Sequence, residues 1–380
     1  MPAKKTAIIH DWFYSYAGSE RVVESFTNLW PDADIFTLFN FLSEEEQKII
    51  LKDKIPQTSF IQNLPFAKNS YRKYLPLFPY AIEQFDVTKY DLIISSSHAV
   101  AKGIITSPDQ LHICYCHTPI RYAWDLTFQY LRESGLNKGL SGILTKSILH
   151  YIRAWDVSSA NRVDHFIANS NYIAGRIRKI YRRESSVIYP PVDTSRFTCW
   201  EQKEDYYLTA SRFVPYKKID LIVETFSQMP EKKLIVIGSG PDESKIKRLA
   251  GKNIEFAGYK RPDEMKLIMQ KAKAFVFAAE EDFGIVPIEA LSCGTPVIAL
   301  DKGGTAETIK DSVTGVHFNE QNTASLANAV KRFEEMQHTF EPQRLSEYAG
   351  KFDRRNFENK IKSFVEEKSI SFFREEKDQL

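Results

Sequence analysis

Short apolar runs closed by polar residues alternate, along most of the chain, with stretches whose apolar positions recur every three or four residues. The first pattern predicts buried strands and the second amphipathic helices. "TAIIHDW" reads as a strand, "SERVVESFTNLW" as a helix and "ADIFTLF" as a strand, and "YDLIISSS", "LHICYCH" and "VDHFIANS" follow as further strands. Strands apolar on both faces, joined by helical crossovers, are the pattern of a buried parallel sheet. Two prolines in "VIYPPVDTSRF" (187–197) interrupt the alternation. It resumes with "DYYLTASRF", a helix over "KIDLIVETFSQM", then "KKLIVIGSG", "ESKIKRLAG", "NIEFAGY", "EMKLIMQKA", "AFVFAAEE" and "TPVIAL", and ends near residue 337.

This order predicts an α/β protein of two doubly wound, Rossmann-like domains, residues 1–195 and 196–350, with a hinge near 192–204. The 380-residue length independently favours two domains. The segment 351–380 places Phe352, Phe357, Ile361 and Phe364 at helical spacing, and is expected to pack back toward the N-terminal domain as an amphipathic helix. Two such domains facing each other enclose an interdomain cleft at the carboxyl ends of both sheets, where open α/β sheets bind ligands. Candidate residues are therefore sought just after strands.

Composition narrows the partners. With 51 Lys and Arg against 49 Asp and Glu, the net charge of +2 argues against nucleic acid. The first 200 residues carry 23 basic and 19 acidic side chains, a bias compatible with an anionic acceptor or membrane surface. Cys114 and Cys116 lie two apart, which is neither a redox pair nor a zinc knuckle, so the four cysteines are expected as reduced thiols. No signal peptide and no bilayer-spanning run is read, which predicts a cytoplasmic protein.

Several strand exits carry chemistry. "SRFVPYKKID" sets Arg212 and Lys217 five apart around a proline turn, either a diphosphate site or a solvated basic loop. "VIGSGPDE" places Gly238 at a tight turn, with only a fragment of a dinucleotide fingerprint. "EEDFGIVPIE" puts Glu281 in a loop and Glu289 near the start of a helix opened by Pro287. Amides from Asp282 and Phe283 through Gly284 to Ile285 suit a sugar or an anion, and carboxylates suit vicinal hydroxyls. The alternative is a solvated Glu281 and a helix-stabilising Glu289. Ala17-Gly18-Ser19 before a helix offers a second anion-friendly loop, and His117 in "YCHTPIRYAWD" ends a strand, as a ligand to hydroxyl or phosphate or as a structural histidine. "PFAKNSYRKYLPLFPY" and "LNKGLSGILTKSILHYIRAWD" mix cations with apolar residues, among them Ile143, Leu144, Ile148 and Ile152, as anionic lipid would require or as core helices with snorkelling cations would show.

Together, "SRFVPYKKIDLIVETF", "VIGSGPDESKIKRLA", "IEFAGY" and "EEDFGIVPIEALSCGTPVIAL" resemble family 4 retaining glycosyltransferases of the GT-B fold. "HDWFYSYAGSERVVESF", "YDLIISSSHAVAKG", "CHTPIRYAWD" and "VIYPPVDTSRF" extend that resemblance over nearly the whole chain. "HTPIRYAWD" with "FVPYKKIDLIVE" is most similar to bacterial mannosyltransferases of lipopolysaccharide and exopolysaccharide assembly. The resemblance implies a hexosyltransferase that moves a hexose, mannose from GDP-mannose in the favoured case, to a glycan or lipid-linked acceptor without a required metal or cofactor. By position, Arg212 and Lys217 would bind the donor diphosphate and Glu281 the hexose, aided by amides of 282–285. Glu289 would bind the ribose, His117 would sit by the hexose, and Tyr259 and Lys260 would lie near the base. Gly18 would admit the donor phosphate or acceptor, although Ala17 stands where the family usually has a first glycine. Peripheral contact with the inner face of an anionic membrane accompanies this reading. A nucleotide-sugar epimerase of the same fold and a non-catalytic nucleotide-sugar-binding protein are the alternatives. Product analysis with donor alone separates the first, and absence of turnover with any acceptor marks the second.

Overall fold

The computed structural model describes residues 4–133, 135 and 138–378. They form two units, one reaching to Pro190 and joined by the segment from Phe357 onward, the other Pro191–Asn356. The first unit holds strands β1 (Thr6–His10), β2 (Asp34–Thr37), β3 (Gln57–Thr58), β4 (Leu92–Ser97), β5 (Leu111–Cys116), β6 (His165–Ala168) and β7 (Ser185–Val187). They pair in parallel in the order β3-β2-β1-β4-β5-β6-β7. All residues of β1, β4 and β5 are buried, because helices cover both faces. The period-2 pleat divides them: Ile8, Ile94 and Tyr115 pack with Val22 and Phe26 on one face. Ile9 and Ile93 pack with Phe36 and Phe78 on the other.

Helix Arg354–Asp378 adds Phe357, Ile361 and Val365 to the first of these cores. That i, i+4, i+8 stripe, at roughly 1.5–3 kcal/mol for each large apolar side chain buried, holds the helix on the unit. The expected stripe is divided, however. Phe352 lies in the other unit with its ring 5.7 Å from Phe283, and Phe364 is only partly buried.

The second unit holds β8 (Tyr207–Ala210), β9 (Leu234–Ile237), β10 (Ile254–Gly258), β11 (Ala274–Phe277), β12 (Val297–Leu300) and β13 (Gly315–Phe318). They are all parallel in the order β10-β9-β8-β11-β12-β13, the doubly wound order of dinucleotide-binding sheets. Val192 N–H donates to Phe352 O (3.0 Å) and Thr194 Oγ1 to Asp353 Oδ2 (2.6 Å), so residues 191–195 are tied to this unit. Cys114, Cys116 and Cys293 are buried and Cys199 half-buried, all four as free thiols. Burial pushes the Cys114 and Cys293 thiols up to about 12. Among the described residues no helix is long and apolar enough to cross a membrane.

Candidate functional site

In the second unit the winding reverses between β8 and β11, and the crevice of such a sheet opens at their carboxyl ends. The residues after β8 run through Arg212 into the turn Pro215–Lys217, and Lys218, left-handed at φ 56°, turns the chain into helix Ile219–Ser227. The residues after β11 run through Glu281 to Gly284. The structure brings these two exits together: Lys217 Nζ forms an ion pair with Glu281 Oε1. Both side chains keep about a fifth of their surface open, 18% and 20%, and Arg212, five residues before Lys217 on the same strand exit, is exposed.

The backbone of Glu281 is fixed from a third strand exit. Glu281 bridges Gly303 in parallel, and Gly304 N–H donates to Glu281 O at 2.7 Å. Gly303 sits at φ 71°, and a Cβ there would strike the Glu281 carbonyl. This glycine pair, in "DKGGTAE" directly after β12, was not among the residues singled out from sequence; a doubled glycine at a strand exit is the signal that marks it. Gly238, at φ 133°, allows an equally close approach after β9. A Cβ on it would collide with the Ser211 carbonyl next to Arg212, so its closest approach is to this chain's own backbone. Gly238 N–H donates to Gly258 O at 2.9 Å, which sets Tyr259 and Lys260 beside the same loop. Tyr259 is three-quarters exposed.

Helix Ile285–Ser292 opens after Gly284, whose φ of 89° redirects the chain. Ile285 and Val286 therefore present first-turn amides without intrahelical partners, while Pro287 has no N–H to present. The helix starts two residues before Pro287, not at it. Glu289 thus falls in the second turn and is 1% exposed, deeper than a residue at the helix start. Phe283 is buried against Phe352, and Asp282 is half-buried.

In the first unit the winding reverses between β1 and β4. Asp11, just past β1, is fully buried, and its carboxylate accepts four backbone N–H groups. His98 and Ala99 donate to Oδ2 (2.6 and 3.0 Å), and Val100 and Ala101 to Oδ1 (2.6 and 2.7 Å). His98 Nδ1 lies 2.9 Å from Oδ2. Burial opposes ionisation here, but the His98 charge and these hydrogen bonds prevail and hold the carboxyl far below the usual range. Asp11 and His98 were not picked out from sequence, although each is a polar residue immediately after an apolar strand.

His117 ends β5 half-buried, with Nε2 2.8 Å from Ser96 Oγ. The same hydroxyl lies 3.2 Å from His10 Nδ1. Burial, and then the neighbouring His98 and His10, press the His117 imidazole well below its ordinary value. It is neutral near pH 7 and able both to donate and to accept. Gly18 is the first residue of helix Gly18–Leu29, capped by extended Ala17. An acidic side chain of the same helix takes part of this loop's hydrogen bonding. The buried Glu20 carboxylate accepts from Ala17 N–H (3.2 Å) and Ser19 Oγ (2.9 Å).

Sequence and fold comparisons agree with this division. Residues 16–196 match the family described as Glycosyltransferase Family 4, and residues 194–352 the family described as Glycosyl transferases group 1. The chain is 26% identical to the O-antigen chain mannosyltransferase RfbU of Salmonella typhimurium over 57% of its length and 64% of that protein. It is 23% identical to an alpha-1,3/1,6-mannosyltransferase of Kluyveromyces lactis over 75% of its length and 67% of that protein. The first curated relatives are matched over 48% to 67% of their own lengths. HepE of Anabaena, solved with UDP and glucose, superposes with a TM-score of 0.71 at 18% identity, covering 96% of this chain and all of that one. That likeness is one of fold, the GT-B fold.

Proposed function

Because the chain belongs to the family 4 glycosyltransferases, with a group 1 segment following, we propose that it transfers a hexose from a nucleotide sugar to a glycan or lipid-linked acceptor. The favoured donor is GDP-mannose, a choice supported by the mannosyltransferases among its relatives. The observation that carries the reading is the Lys217–Glu281 pair at the reversal point of the second sheet, on the strand exit that also carries the exposed Arg212.

In this reading the donor diphosphate takes over Lys217 and meets Arg212, so two cations face the charge that grows on the leaving group. Glu281, released from Lys217, accepts hydrogen bonds from hexose hydroxyls. The bond from the anomeric carbon to the phosphate oxygen breaks, and the bond to the acceptor oxygen forms on the same face. The acceptor proton passes to the leaving phosphate oxygen, giving a nucleoside diphosphate and a retained linkage. His117, neutral, orients a hydroxyl. The ribose role of Glu289 asks its covered carboxylate to become accessible on binding.

Thermal-shift titration with GDP, UDP, ADP and their sugars tests the donor. GDP and GDP-mannose are expected to give the largest stabilisation at equal concentration. A larger shift with UDP or ADP compounds overturns the guanine choice. In the same titration, Lys217→Ala is expected to weaken diphosphate binding about 10- to 100-fold, the equivalent of one charged hydrogen bond. Unchanged affinity would move the phosphate site elsewhere.

A further inference from the structure

Three neighbouring strands of the first unit end in side chains that meet. β1 ends in His10, β4 sets Ser96 beside it in register, and Tyr115 of β5 is the register partner of Ser96 on the other side. His117 lies two residues past Tyr115, and the period of two returns it to the same face. Ser96 Oγ therefore stands between two imidazoles, 3.2 Å from His10 Nδ1 and 2.8 Å from His117 Nε2. The backbone of His117 is pinned as well. Its N–H donates to Ser97 O at 2.8 Å, and its carbonyl accepts from Asn169 Nδ2 at 3.0 Å.

These partners fix where the protons lie. His10 Nδ1 is also 3.2 Å from Ser96 O, a carbonyl oxygen that can only accept. Nδ1 therefore carries a proton, shared between the carbonyl and hydroxyl oxygens of Ser96. That holds whether or not His10 Nε2, which faces Glu20 Oε1 at 3.7 Å, is protonated too. The Ser96 hydroxyl thus accepts on one side and has its own proton to place. Ser96 and His10 are both at zero exposure, where a donor without an acceptor is costly. Beyond His10, the hydrogen-bonding neighbour of that hydroxyl among the described residues is His117 Nε2. Nε2 accepts, and the single proton of neutral His117 sits on Nδ1.

We propose that Ser96, oriented by His10, is a positioning residue that holds His117 as the Nδ1–H tautomer, so that His117 offers a proton to a sugar oxygen and takes none from the acceptor. The lone pair of the neutral ring is occupied by the Ser96 hydroxyl, which leaves His117 no free nitrogen with which to act as a base. This agrees with the acceptor proton leaving on the phosphate. What His117 meets rests on the hexosyltransferase reading; the tautomer does not.

The full chain carrying isotopically labelled histidine is read by proton–nitrogen correlation spectra at about pH 8, where ordinary histidines are neutral. Ring-nitrogen shifts separate protonated from bare nitrogens, and His117→Gln assigns the His117 signals by removing them. A protonated Nδ1 and a bare Nε2 are expected in the parent. Ser96→Ala is expected to lose this preference, with the Nε2–H form appearing, whereas Ser96→Thr keeps the hydroxyl and should retain it. Initial rates of hexose transfer should fall about 3- to 10-fold in Ser96→Ala, the equivalent of one neutral hydrogen bond, and recover in Ser96→Thr. GDP affinity should not change in either. An Nε2–H His117 in the parent overturns the proposal with no variant needed, and so does a Ser96→Ala spectrum that matches the parent. A tautomer lost in Ser96→Ala at the parental transfer rate overturns the positioning role. Absence of transfer from any donor would instead remove the hexosyltransferase reading, and the spectra would still decide the tautomer.

Discussion

Glu281→Gln is expected to lower the rate of hexose transfer about 100-fold while leaving nucleoside diphosphate affinity nearly intact. The substitution keeps the shape of a side chain whose backbone is held by the Gly303–Gly304 turn, so the loop should stay in place. What it removes is charge. Hydrogen bonds to a charged acceptor contribute about 1.5–3 kcal/mol, and each 1.36 kcal/mol is tenfold in rate. The same change loosens the resting ion pair with Lys217, which frees the lysine for diphosphate and should not weaken that ligand. Initial rates with GDP-mannose and acceptor, set beside calorimetric titration of GDP, separate the two effects. An equal fall in transfer and in GDP affinity would sink the assignment of Glu281 to the sugar.

The strand ends that carry these residues were visible in the sequence, because a strand buried on both faces is an unbroken apolar run. β9, β11 and β12 are runs of that kind, and β1, β4, β5 and β8 are built on shorter apolar runs with polar residues inside or at their ends. The strands at the sheet margins were less legible. β3 has two residues, and β7 reads "SSV", with nothing apolar enough to announce burial. The 64-residue separation of Lys217 and Glu281 carries no local signal either. Their meeting follows from β8 and β11 lying side by side, a property of the winding order rather than of either loop. Two local readings are refined by the structure. Pro287 suggested a helix start, but Gly284 in the left-handed region begins the turn earlier and carries Glu289 inward. Ala17-Gly18-Ser19 suggested an open anion site, and a carboxylate three residues into the chain's own helix folds back to take the Ala17 N–H and the Ser19 hydroxyl.

The second large effect expected is on stability. Asp11→Asn should lower the unfolding temperature of the first unit by roughly 6–12 °C, about 3 kcal/mol at 2–4 °C per kcal/mol for a unit of this size. The carboxylate offers two oxygens to four converging N–H groups and to His98. An amide offers one oxygen and turns its NH2 toward two of those donors. At zero exposure no solvent is at hand to replace the lost acceptor. The pH dependence follows from the sign of the shift. A carboxyl depressed in the folded state contributes stability that is fully present above its unfolded value, near 3.9, and is lost as pH falls toward the folded value. The carboxyl's own part of the gap between parent and variant should therefore stay level from pH 8 to pH 5 and narrow only below about pH 4. His117, depressed by burial, makes both proteins less stable below its unfolded value near 6.5, and the Asp11 charge, which opposes that depression, is lost in the variant. Melting curves followed by circular dichroism at several pH values check both statements. Coincident melts at pH 7 would show that Asp11 does not hold the turn at 98–101, and a gap that stays level from pH 5 down through pH 3 would show that the carboxyl is not depressed in the folded protein.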